Sequence, residues 1–169
     1  MIAWMKSWDV CVMPEGQDWQ GMMTIPRELK LKDGRIWQTP ICELERYRRN
    51  PCRYENELIS GWTMLDGVDG RVIDLIVTLE GGNYTSFAMD IAADEEYKTS
   101  FSYSREKGIL EIDRTFCGVT HDIVCIRKVK ILAEELSCMR FVLDRQSIEL
   151  FINDGQQVVT TAISTPLEA

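Results

Sequence analysis

The 169-residue sequence predicts an all-β protein, an antiparallel β-sandwich of the jelly-roll or lectin-like kind. Three observations predict it. Short runs rich in β-branched and aromatic residues recur at intervals of about 8–12 residues, separated by turn signals. Several of these runs alternate apolar and polar residues with a period of two. Finally, "SIELFINDGQQVVTTAI" (147–163) is a hairpin, two runs flanking Asn153-Asp154-Gly155, where glycine tolerates the positive φ of a tight turn.

In chain order, Pro26 fixes the backbone ahead of Arg27-Glu28, and Leu29 and Leu31 alternate with lysines toward an Asp33-Gly34 turn. "PICELERYRRN" (40–50) breaks the strand pattern. There Ile41, Leu44 and Tyr47 recur at helical spacing, Pro40 suits a first turn, and the helix must stop before Asn50-Pro51. This short helix reads as a connector. "RVIDLIVTL" (71–79) is a β-branched run too short for a helix, and "SFAMDI" (86–91) alternates around Phe87, Met89 and Ile91. Asp94, Glu95 and Glu96 form a loop ahead of a strand starting at Tyr97-Lys98, without the spacing of a metal site. "GILEIDR" (108–114) turns Ile109 and either Leu110 or Ile112 inward, and "HDIVCIRKV" (121–129) is a further apolar run. "MRFVLDR" (139–145) sets Met139, Phe141 and Leu143 against Arg140, Val142 and Asp144.

Composition narrows the function. Nineteen Lys and Arg stand against 27 Asp and Glu, a net charge of −8, so the positive field that nucleic-acid binding requires is missing. The one basic cluster, Arg46, Arg48, Arg49 and Arg53, is interleaved with Glu43, Glu45, Glu55 and Glu57 and reads as a solvated face. Six cysteines show no C-x-x-C spacing and the single histidine, His121, completes no ligand set, so neither metal nor cofactor is expected. Cys117 and Cys125 suit neighbouring strands of a hairpin, which leaves a disulfide open. No apolar run approaches the roughly 18 residues of a membrane span and no leader pattern is read. Reduced thiols in a cytoplasmic protein are therefore the expectation.

The opening "IAWMKSWD" (2–9) and "WQGMMTIPRELKLKDGRIWQTP" (19–40) closely resemble glycoside hydrolase family 32, the family of invertases, sucrose-6-phosphate hydrolases and fructan hydrolases. "ICELERYR" (41–48) is similar to that family's helical link, and "LDRQSIELFINDGQQVVTT" (143–161) to its late sandwich hairpin. The resemblance implies a remnant of the last blade of a catalytic β-propeller in residues 1–37, a linker with a short helix in 38–51, and the C-terminal β-sandwich in 52–169. It also implies that "TPLEA" falls short of the last strand or two of the family's sandwich.

A retaining glycosidase needs two carboxyl groups about 5–5.5 Å apart, one of them an acid whose pKa is raised. The family's W-M-N-D-P-N-G-like, R-D-P and E-C motifs carry them, and none is found. Asn153-Asp154-Gly155 is a turn, "DRT" and "DRQ" are not R-D-P, and Cys42-Glu43 is the E-C pair reversed. A Ser/His/Asp reading fails too, for want of a G-x-S-x-G elbow. No catalytic residue is assigned, and the chain alone is expected to be inactive. By resemblance, an aromatic of the last blade enters the fructosyl pocket: Trp8 matches that place best and Trp4 second, against the alternative that both are blade core. Trp19 and Trp37 read as packing residues. Arg27-Glu28 reads as an ion pair fixing the blade against the sandwich, and His121 as a strand residue on a wet face.

The function expected is thus the structural C-terminal portion of a β-fructofuranosidase-type hydrolase acting on sucrose, sucrose 6-phosphate or fructan. Its expected partner is the catalytic propeller, with a homo-oligomer through exposed blade strands. The alternative is a stand-alone carbohydrate-binding, lectin-like sandwich.

Overall fold

The computed structural model describes residues 1–5, 18, 21–81, 83–118 and 124–169. Trp8, Trp19 and His121 lie outside the described residues.

A leading hairpin pairs β1 (Arg27–Lys32) with β2 (Arg35–Pro40). Asp33 and Gly34 turn it with φ of 52° and 71°, the left-handed pair that a two-residue hairpin loop demands. Residues 1–5 run antiparallel to the stretch before β1. Met5 N–H donates to Met22 C=O (2.9 Å), Thr24 N–H to Ala3 C=O (2.8 Å) and Arg27 N–H to Met1 C=O (2.8 Å).

The connector is a single 3-10 helix, Cys42–Tyr47, with no buried residue and no side-chain cap. Pro40 ends β2 instead of opening a helical turn, and Tyr47, expected on an apolar stripe, is 77% exposed. Six residues form too few hydrogen bonds to sustain an α-helix without an apolar face to bury.

Among the described residues, eight strands then form two four-stranded antiparallel sheets. One runs β10 (Gln157–Ala162), β9 (Ser147–Ile152), β8 (Cys138–Asp144), β3 (Ile73–Thr78); the other runs β4 (Ser86–Ile91), β5 (Lys98–Ser104), β6 (Ile109–Phe116), β7 (Ile126–Lys130). The core lies between them. Met139, Phe141 and Leu143 of β8 and Ile148, Leu150 and Ile152 of β9 meet Phe101 and Tyr103 of β5 and Leu110 and Ile112 of β6. Phe101 and Phe141 pack edge to face, centroids 5.1 Å apart. On β6 both Leu110 and Ile112 point inward and Ile109 does not. Cys117, just past β6, carries a free buried thiol, so the Cys117–Cys125 disulfide is not formed.

Candidate functional site: the junction of hairpin and sandwich

The second face of the β10-β9-β8-β3 sheet is also covered, and this is where the hairpin docks. A period of two sends Glu149 and Phe151 to that face while Ile148, Leu150 and Ile152 fill the core. Glu149 is nevertheless only 1% exposed. Its carboxylate accepts from the Ile25 N–H (2.6 Å), the Arg27 Nε–H (3.1 Å) and the second arm of the Arg27 guanidinium. Arg27, 7% exposed, also donates to Thr160 Oγ1 (2.7 Å) and Gln38 Oε1 (3.0 Å) and stands 5.4 Å from the Phe151 ring centre. Two buried charges are tolerable because nearly every lone pair and proton is engaged.

The partner of Arg27 is therefore Glu149 on β9, not its neighbour Glu28. Successive strand residues point to opposite faces, so Glu28 is turned away from the sandwich and faces Lys30 at 3.5 Å.

Two further contacts fix the hairpin. Gln38 N–H donates to Gly155 C=O (2.9 Å) in the β9–β10 turn, where Asn153, Asp154 and Gly155 have φ of 46°, 58° and 88°. A Cβ on Gly155 would sit 2.0 Å from the Gln38 carbonyl oxygen, so only glycine allows β2 this close. Beside it, Asp74 of β3 accepts from Arg140 Nε and Nη2 (2.8 Å each) and from Arg48 Nε (2.7 Å) just beyond the connector. Arg48 thus leaves the solvated basic face expected of it and ties the connector to the sandwich. Burial of the Asp74 carboxyl opposes its ionisation, but the hydrogen bonds and charges of Arg140 and Arg48 outweigh that, holding it below the ordinary carboxylate range. A glycosidase acid needs the opposite shift.

Between hairpin and sheet lies a hollow of about 150 Å³ lined by Thr39, Pro40, Ile76, Arg140, Phe151 and Asp154. Ligand pockets typically measure about 300–1,000 Å³, so this one is too small to enclose a disaccharide. Trp4 is elsewhere, bridged to Met23 and 59% exposed, with its ring over Gly21. Trp37 is half-buried under the Lys32 ammonium, 4.1 Å from the ring centre. Among the described residues, no group of three or more His, Cys, Asp or Glu could hold a metal.

Glu149, Gln38 and Asp74 escaped the sequence reading. One signal existed: a lone acid inside "SIELFI", a run apolar enough to be buried on both faces, which obliges it to find a cation.

Residues 43–168 match glycosyl hydrolases family 32 C terminal, and residues 1–40 match the glycosyl hydrolases family 32 N-terminal domain. The sucrose-6-phosphate hydrolase of Staphylococcus xylosus is 27% identical over 169 residues, 98% of this chain and 34% of the relative. The levanase of Bacillus subtilis is 30% identical over 175 residues, 96% of this chain and 26% of the relative. The solved sucrose-6-phosphate hydrolase of Lactobacillus gasseri shares the fold with a TM-score of 0.77 at 21% identity, over 99% of this chain and 34% of that one. The chain thus spans about a quarter to a third of the length of the curated relatives it matches. The junction joins residues matched to one family domain to residues matched to the other, and the chain belongs to glycosyl hydrolase family 32.

Proposed function

We propose that this chain is the structural C-terminal portion of a β-fructofuranosidase-type hydrolase, bracing a catalytic propeller and supplying no catalytic carboxylate. The substrate of the complete enzyme is a sucrose-type or fructan-type fructoside, a reading supported by the names of the relatives. The observation that carries the proposal is the buried Arg27–Glu149 bridge, which locks the last hairpin of the N-terminal domain to the sandwich. The face that carries Arg27 and Gln38 continues toward the hairpin tip in Leu29, Leu31 and Ile36, with Leu31 79% exposed, an apolar surface suited to the rest of the propeller. Without a propeller, the same strands of residues 1–37 suit a homo-oligomer. A reducing, cytoplasmic setting belongs to this reading, supported by the free thiols of Cys42, Cys52, Cys117 and Cys138.

The test is co-expression with a family 32 propeller that ends where this chain begins. Co-purification together with sucrose cleavage supports the proposal; failure to associate, with the chain folded, defeats it.

Trp4 and Trp8 are proposed as sugar-stacking residues of the last blade. The exposed ring of Trp4 also favours a second reading, a stand-alone carbohydrate-binding module. Calorimetry of the chain with sucrose, fructose and fructan separates the two. Binding at millimolar or lower concentration that Trp4→Ala abolishes favours the module; no heat favours the brace.

A further inference from the structure

The two long sides of the sandwich are finished differently, and the ladder geometry shows how. In an antiparallel ladder a residue directs its N–H and C=O either to one neighbour or to the opposite side, alternating along the strand. On β7 the bonds Arg114 N–H to Cys125 C=O (2.8 Å) and Ile131 N–H to Gly108 C=O (2.9 Å) fix the phase, so residues 126, 128, 130 and then 132 face outward. Gln157 caps that edge: its side-chain amide donates through Nε2 to Lys130 C=O (2.9 Å), and its Oε1 accepts from Leu132 N–H (2.7 Å). On β10 the outward groups are 158, 160 and 162, because Ile163 N–H bonds Gln146 C=O (2.9 Å). Arg114 donates to Ala162 C=O (2.8 Å), and Ser164 N–H to Cys117 C=O (2.8 Å). Side chains and backbone from the opposite sheet therefore close this side. Arg127, Lys128 and Lys130 add charge that discourages strand pairing.

The β3 side has no such finish. Leu79 N–H bonds Ser137 C=O (2.9 Å), which turns residues 73, 75 and 77 toward β8 and residues 74, 76 and 78 outward. Among the described residues, no backbone hydrogen bond is formed to these outward groups. The side chain at the centre of the row, Ile76, is 52% exposed, and Val72 just before the strand is exposed as well.

We propose that two copies of this chain associate through β3, antiparallel about Ile76, fusing their four-stranded sheets into one continuous sheet. Self-pairing is permitted here by chemistry. A twofold axis at Ile76 sets Ile76 opposite Ile76, Asp74 opposite Thr78 and Leu75 opposite Val77, with no like charges facing each other. Asp74 is already neutralised by Arg48 and Arg140. The same operation on β7 would face Lys128 with Lys128. On β4, where 86, 88 and 90 point outward, it would face only Ala88 with Ala88. This contact is separate from the hairpin surface of residues 1–37.

Sedimentation equilibrium on the whole chain tests it. The parent is Ile36→Lys, whose charge blocks the hairpin surface proposed above, and it is expected at twice the 19.5 kDa chain mass. Ile76→Lys puts a charge on the axis. Ile76→Pro removes an outward N–H that the β8 ladder does not use, as edge strands tolerate. Each, added to Ile36→Lys, is expected at the single mass with unchanged far-UV circular dichroism. Should Ile76→Pro fail to fold, Ile76→Lys decides. An Ile36→Lys protein of single mass overturns the proposal, and so does a double mass that survives the addition of Ile76→Lys.

Discussion

Arg27 and Glu149 lie 122 residues apart in sequence and form a buried, multiply hydrogen-bonded ion pair between the hairpin and the sandwich. It ties the start of the β1–β2 hairpin to the sandwich. Truncating Arg27 to Ala strands a buried carboxylate. The expected loss is about 3–5 kcal/mol, read as a lower urea midpoint, and Glu149→Ala should cost a similar amount. The paired replacement Arg27→Met with Glu149→Leu should recover most of the loss, since it leaves no charge uncompensated.

Gly155→Ala should free the hairpin while sparing the core. The new Cβ meets the Gln38 carbonyl 2.0 Å away, and φ of 88° adds strain. Limited proteolysis should cut within residues 21–40 much faster than in wild type, with the sandwich product intact.

Asp74 makes stability depend on acid. Its folded pKa lies below the unfolded value, so its contribution is complete above the ordinary carboxylate range and is lost as pH falls through the lowered pKa. Asp74→Asn should lower stability at neutral pH and flatten the acid limb of a stability-against-pH curve. A parallel displacement with unchanged slope would contradict the assignment.

Gln157→Leu should uncap the β7 edge. Two hydrogen bonds at a partly exposed edge are each worth about 0.5–1.5 kcal/mol, so the global effect is small. Hydrogen exchange at the Leu132 amide should nonetheless accelerate markedly, while the Leu110 and Ile112 amides of the inner strand stay protected.

Much of the fold was legible because its strands obey period two against a single apolar core. β8 is the clearest case, with Met139, Phe141 and Leu143 inward, and the positive φ at Asn153, Asp154 and Gly155 bears out the turn read from their composition. β5 was read only as a strand starting near Lys98: its outward Ser100, Ser102 and Ser104 dilute the signal that Phe101 and Tyr103 carry. The connector was legible as a short helix ending before Asn50-Pro51; it is 3-10 because Ile41, Leu44 and Tyr47, though helically spaced, have no surface to cover.

The junction was the least legible part. Alternation sends Glu149 to the face opposite the core, where solvent is the default expectation. Only a hairpin contributed from 122 residues away makes that face an interior. Arg27 was singled out, but its nearest acid in sequence, Glu28, is geometrically barred from it by strand pleat. Edge capping by Gln157 and Arg114 is likewise a relation between sheets, invisible to any local pattern.

The central claim, that this chain braces chemistry it does not itself contain, is tested most directly by an assay of purified chain with sucrose and with levan. The prediction is no fructose release above the uncatalysed rate, from a protein shown by circular dichroism to be folded. Enzymatic turnover that co-purifies with the chain and disappears on replacing one of its own carboxylates would contradict it.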